Sequence, residues 1–201
     1  MKAADAKPPL SQRKKVQAMR RAQSCALQLF EQRGFASVSM VEIAERSEVS
    51  VASLFRYFGT KEQVVLWDEH DDRIIAAVAA GIERRLTPLA AVASGVATAL
   101  EGAFGAKAAI ERRKMALIFH EPALLAGFRA NTNVWSDAFA AMFAKAEGAT
   151  GPSLSHRASA AAAAVLVQVC LEEWFGRGGR SDLATLIDEA FSSVSRGTPV
   201  A

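Results

Sequence analysis

Ala52, Ser53, Arg56 and Tyr57 follow one another at steps of one, three and one residues, so on an α-helix they share a face. The leading end of that face is small, which lets a backbone approach a surface closely, and the trailing end carries an arginine and a tyrosine. This combination suits the edges of base pairs. An α-helix fits the major groove of B-DNA, where Ala or the carbons of Val touch a thymine methyl, Ser bonds to several base edges and Arg grips guanine through two hydrogen bonds. Tyr57 is placed to reach phosphate. The other chemistry-bearing residues form no comparable set. His70, His120 and His156 have no partners at catalytic spacing, and neither a nucleophile elbow nor a phosphate loop is present. Cys25 and Cys170 lack metal-ligand spacing and read as buried small hydrophobes. Asp68, Glu69, His70, Asp71 and Asp72 point in different directions round a helix, so they read as a solvated face rather than a metal site. Neither an enzyme nor a bound cofactor or metal is expected.

Two short helices joined by a tight turn must position that face. Ser39 and Glu42 form a capping box that opens the first of them, and Ile43 and Ala44 face inward, the small Ala44 allowing a close crossing. Ser47, Glu48 and Val49 make the turn, with Val49 as its apolar plug. Ser50 caps a second helix over residues 51–58, held from behind by Leu54 and Phe58. Two turns of helix are unstable without such packing. Thr60 and Gln63 form a further capping box. Lys61 follows in the first turn, where a cation is tolerated if an anion is also bound, so Lys61 and the free N–H groups form an expected phosphate seat.

Arg20 and Arg21, LFEQRGF at 29–35, Ser39 and Met40, IAE at 43–45, Val49 and Ser50, and LFRYFGTKE at 54–62 stand at fixed separations. Together they resemble the N-terminal domain of the TetR family of bacterial transcriptional regulators. The resemblance implies a three-helix DNA-binding domain followed by a helical domain for effector binding and dimerisation. It identifies Ser39, Ser50, Val51, Ala52, Ser53, Phe55, Arg56, Tyr57, Thr60 and Lys61 as the residues that meet DNA. Two positions depart from the family pattern. Glu48 stands where glycine is usual, at a cost of about 1 kcal/mol in a left-handed turn. Phe55 stands where tyrosine is usual, which removes a hydroxyl from the phosphate side.

The 201 residues, about half of them apolar, suffice for one large or two small domains. Charge is uneven: residues 1–61 hold eleven Lys or Arg against five Asp or Glu, net +6, and the remainder is net −3. A basic portion that coincides with the helix-turn-helix is what phosphate binding requires. The fold expected is all-α with about nine helices: a disordered leader at 1–10, a DNA-binding domain at 11–59 and a helical effector-binding and dimerisation domain at 60–201. The resemblance makes Arg13, Lys14 and Lys15, just after the leader, candidates for an adjacent minor groove. The first helix spans 11–33, with Ala18, Ala22, Cys25, Ala26, Leu29 and Phe30 as its apolar line and Gly34 as its stop. A long fourth helix, 60–85, is expected to join the domains and carry displacement between them.

Further helices are expected at 88–104, opened by Thr87 and Pro88, then at 106–120 with a basic patch at Arg112, Arg113 and Lys114, and at 122–147. The eighth, at 156–175, is apolar on nearly every side, so it must be covered all round. The ninth begins after Ser181 or Asp182 with a stripe of Leu183, Leu186, Ile187, Ala190, Phe191 and Val194. The family resemblance pairs the eighth and ninth helices with their copies in a homodimer. Trp67, Phe104, Phe119, Phe128, Trp135, Phe139 and Trp174 are the candidates to line a cavity for a small apolar effector. No apolar run approaches the roughly 20 residues that span a bilayer, and the leader lacks a signal-peptide core, so a cytoplasmic protein without a membrane partner is expected. The function expected is a ligand-responsive regulator, most readily a repressor, bound to double-stranded DNA at a palindromic operator. The alternative is a helical ligand-binding dimer with weak or lost DNA binding.

Overall fold

The computed structural model describes residues 9–101, 103, 104 and 108–196. Most of the expected leader lies outside the described residues, as do Gly102, Gly105 and the expected start of a helix at Ala106. The described chain forms ten α-helices, with no strand among the described residues. It divides into two compact units, Met1–Glu69 and His70–Ala201.

The first unit holds α1 (Leu10–Arg33), α2 (Met40–Ser47), α3 (Val51–Phe58) and α4 (Lys61–Leu66). The buried line of α1 is Met19, Ala22, Gln23, Ala26, Leu27 and Phe30. Ala18, Cys25 and Leu29, expected there, are only half-buried. Cys25 instead directs its thiol to the carbonyl of Arg46, at 3.5 Å. Gly34, at φ 81°, ends α1 with its N–H on the Phe30 carbonyl.

The expected fourth helix is two helices. α4 stops at Leu66, Trp67 turns to φ −58° and ψ 132°, and α5 (Asp71–Glu83) begins only after His70. The cause is a tertiary contact from α1. The buried amide of Gln23 donates to the carbonyls of Val64, Val65 and Trp67 at 3.0, 3.2 and 2.8 Å, so carbonyls that helix continuation would have satisfied find a donor elsewhere. The division between units therefore lies beyond α4, whereas the second domain was expected to begin at residue 60. No continuous helix runs between them as a lever.

The second unit holds α5, α6 (Pro88–Ala99), α7 (Ala109–His120), α8 (Pro122–Ala146), α9 (Leu154–Gly176) and α10 (Leu183–Arg196). α5 and α6 cross where a Cβ on Gly95 would come within 2.6 Å of Val78, so only glycine permits that approach. α9 presents Ala160, Ala163, Ala164, Cys170 and Trp174 to α6, α8 and α10. By length and composition alone α9 would suffice to cross a membrane, but this buried line is packed on helices of the unit.

Two sequence expectations change here. The stripe on α10 is used within the chain, with Leu183, Leu186, Ile187 and Phe191 buried and only Val194 exposed. The basic patch on α7 is broken up: Lys114 is buried against Glu111 at 2.7 Å, and Arg112 donates to the Gly179 carbonyl at 3.1 Å.

Candidate nucleic-acid interface

The capping expected for α2 is present in full. Ser39 Oγ accepts from the Glu42 N–H at 3.2 Å, and the Glu42 carboxylate accepts from the Ser39 N–H at 2.8 Å and from its hydroxyl at 2.8 Å. Arg33, at the end of α1, bonds the other carboxylate oxygen at 2.6 Å. The Ser39 backbone N–H, then the Ser39 hydroxyl, then Arg33 hold the Glu42 carboxyl down to a pKa of about 2. The start of α2 is thereby tied to the end of α1.

The turn closes through Glu48 at φ 53° and ψ 37°, a left-handed residue with a side chain, while the Val49 N–H donates to the Ala44 carbonyl at 3.0 Å. Arg21, on α1, supports the turn from outside the hairpin: its Nε donates to the Ser47 carbonyl at 2.6 Å. Sequence reasoning placed Arg21 only within the family pattern. Its structural role, like that of Gln23, had as its one available signal a polar side chain beside the apolar line of α1.

α3 is held by Leu54 and Phe58, both buried as expected. The exposed face is rotated by about one residue from the one expected. Val51, Ala52, Phe55 and Arg56 are exposed, Phe55 to 49%, whereas Ser53 and Tyr57 are half-buried. α1 covers that flank, with Lys15 Nζ lying 5.6 Å from the Tyr57 ring centroid. The stripe offered outward is more apolar than expected, with one guanidinium at its trailing end.

A chain of polar contacts runs along α3. The Ser53 N–H donates to Ser50 Oγ at 3.2 Å, which is the helix cap, and the Ser50 hydroxyl donates to Ser53 Oγ at 2.9 Å. Arg56 Nη2 donates to the same Ser53 Oγ at 3.1 Å, and its Cζ lies 5.3 Å from the Tyr57 ring centroid. Thr60 caps α4, accepting from the Gln63 N–H at 3.3 Å. Lys61 does not stand free over that helix start. Its ammonium donates to the carbonyls of Phe35 and Val38 at 2.7 and 3.0 Å and lies 4.3 Å from the Phe35 centroid, clasping the α1–α2 link.

The seven aromatic residues expected at one cavity stand in separate groups. Trp67 lies in the first unit, edge-on to Phe58 at 6.0 Å. In the second unit Phe104 meets Trp174 edge-on at 4.9 Å, and Trp135 tilts on Phe139 at 5.4 Å. Phe119 lies 6.3 Å from Phe128 and stacks on Phe175 at 5.0 Å, a partner absent from the expected set. Phe139 and Trp174 are fully buried, the latter with its indole N–H on the Ser181 carbonyl at 3.0 Å. Polar groups interrupt the α8–α9 contact: Thr132 bonds Gln168, whose amide donates to Glu172 at 2.9 Å. Burial, with Glu189 nearby, pushes the Cys170 thiol up to about 11.

Residues 24–66 match the family profile described as bacterial regulatory proteins, tetR family, and residues 86–199 match that described as the MftR C-terminal domain. No curated protein sequence matches. Several solved structures share the fold. The Thermus thermophilus FadR, a TetR family transcriptional repressor in complex with lauroyl-CoA, is 21% identical with a TM-score of 0.52, covering 91% of this chain and 96% of that one. NalD of Pseudomonas aeruginosa, the secondary repressor of the MexAB-OprM multidrug efflux pump, is 14% identical with a TM-score of 0.55, covering 92% and 97%. The fatty acid degradation regulator FadR of Bacillus halodurans is 14% identical with a TM-score of 0.53, covering 92% and 97%.

Proposed function

The chain belongs to the tetR family of bacterial regulatory proteins, and from that premise we propose a ligand-responsive repressor that binds a palindromic operator as a homodimer and is released by a small, largely apolar effector. One observation carries the reading: the exposed stripe Val51, Ala52, Phe55 and Arg56 stands on a capped two-turn helix whose opposite line is fully packed. A helix held that firmly from behind enters a groove as a rigid probe. Val51, Ala52 and Phe55 then meet thymine methyls, and Arg56 donates to the acceptor edge of guanine. Ser50 and Ser53 lie at the leading end. Ser39, Tyr57, Thr60 and Lys61 flank the groove, Lys61 contributing its positive charge from the position where it clasps the α1–α2 link.

Self-association is assigned to α9, flanked by α10. Leu154, Val165 and Val169 are exposed along α9 together with Ala158 and Ala161, a continuous apolar line that nothing among the described residues covers. A second copy related by a two-fold axis covers it and duplicates α3, as a palindromic site demands. The effector is assigned to the second unit, beside the half-buried Phe104, Phe119, Phe128 and Trp135, with Phe139 and Trp174 behind them as core. The lauroyl-CoA in the Thermus thermophilus repressor is a precedent for an apolar chain in this fold. Such an effector acts only through unequal affinity for the DNA-competent state and the released one. The protein works in the cytoplasm, where its DNA is.

Selection of bound sequences from a random duplex pool tests this reading. Enrichment of a palindrome with half-sites about 34 Å apart supports it, and recovery of no preferred sequence refutes it.

A further inference from the structure

Ser53 and Arg56 both lie on α3, but the bonds between them give them unequal roles. A serine hydroxyl has one donor hydrogen and two acceptor lone pairs. Both acceptor positions of Ser53 Oγ are occupied, one by the Ser50 hydroxyl at 2.9 Å and one by Arg56 Nη2 at 3.1 Å. Ser53 is also half-buried, whereas Arg56 is exposed. While these bonds persist, Ser53 accepts nothing from an adenine or cytosine amino group. It does anchor a long side chain, which otherwise samples many rotamers, one helical turn before the guanidinium. The other end of the relay is Ser50 Oγ, which also caps the helix.

We infer that Ser53 is a positioning residue that holds the Arg56 guanidinium toward one base pair, its two acceptor positions being spent within α3 rather than on a base. Through Ser53 the start of α3 is coupled to the arginine at its end. The inference rests on α3 being the groove helix, and its experiment separates the two. Ser53→Ala, Arg56→Ala and the double variant of the full chain are titrated by fluorescence anisotropy. The duplexes are the selected operator, operators changed at each base pair in turn, and a random duplex.

Arg56→Ala is expected to lose about 5- to 100-fold on the selected operator, with discrimination lost at one base pair. Ser53→Ala is expected to lose about 2- to 12-fold, the worth of one hydrogen bond, at the same base pair. In the Arg56→Ala background the Ser53→Ala loss disappears. Ser53→Thr, which keeps the oxygen, retains the parent discrimination. The Ser53 backbone N–H still reaches Ser50 Oγ in every variant, so thermal midpoints are expected to stay at the parent value, and the near-isosteric Ser53→Cys serves as a second weak-acceptor variant should alanine fail to fold. Losses that multiply in the double variant, or a Ser53→Ala effect at a different base pair, overturn the inference. So does an Arg56→Ala loss that is equal on operator and random DNA, which would put the guanidinium on phosphate. A parent protein that selects no sequence fails the groove-helix reading instead.

Discussion

The Gln23 amide determines where α4 ends, and Gln23→Met tests that role at nearly constant side-chain volume. The amide nitrogen has two hydrogens, shared among the carbonyls of Val64, Val65 and Trp67, so about two hydrogen bonds are lost. Gln23 is buried, and so are Val64, Val65 and Leu66, which keeps water from replacing the donor without rearrangement. Each buried carbonyl left without its partner costs about 1–3 kcal/mol. Because methionine fills the space, no cavity cost is added. The expected loss is about 2–6 kcal/mol in the unfolding free energy of the first unit, read from urea denaturation followed by circular dichroism. Gln23→Glu places an acceptor-only carboxylate against the same carbonyls and is expected to lose more at pH 7 than at pH 4.5, where protonation restores a donor. A Gln23→Met protein within about 0.5 kcal/mol of the parent would show that the amide does not hold α4.

Glu48→Gly relieves a left-handed side-chain residue but adds freedom to the unfolded chain, and a net gain of about 0.5–1 kcal/mol in urea melts is expected; a net loss would mean that the Glu48 side chain makes compensating contacts. The Glu42 carboxyl, lowered to about 2 from an ordinary value of 4.5, binds protons more weakly in the folded state than in the unfolded one. Its contribution is therefore fully present above about pH 4.5 and lost as pH falls through about 2; an NMR titration of Glu42 checks the value, and Glu42→Gln is expected to flatten the acid limb of the stability curve. Val165 and Val169 are 48% and 47% exposed on α9. Val165→Glu or Val169→Glu would bury carboxylates in a two-fold interface there and weaken self-association on the order of 100-fold or more by analytical ultracentrifugation; an undisturbed dimer would place the interface elsewhere.

The hairpin was legible because its signals are local. Ser39 and Glu42 are three residues apart, Ser50 directly precedes its helix, and Leu54 and Phe58 lie four apart. Each acts within one turn of backbone, and the structure places all of them as the sequence predicts. The break between α4 and α5 was not legible, since nothing between Val64 and Asp71 is proline or glycine and the cause sits forty-one residues upstream at Gln23. The face of α3 was read one residue away for a related reason: periodicity finds the buried line, but the side that α1 covers depends on where Lys15 and its helix lie. Lys61 was expected to face phosphate because the sequence shows its place in a first turn but not the two carbonyls of the α1–α2 link within its reach.

Residue order alone determined the helical class, the capped turn at Ser47, Glu48 and Val49, the basic first part and the candidates on α3, because propensity, capping and charge act over a few residues and need no distant partner. Only the tertiary structure decided which of those candidates face outward, which cations are already engaged, where α4 stops and which apolar stripe stays uncovered. Those outcomes depend on donors, acceptors and surfaces far apart in the chain that meet only once it has folded.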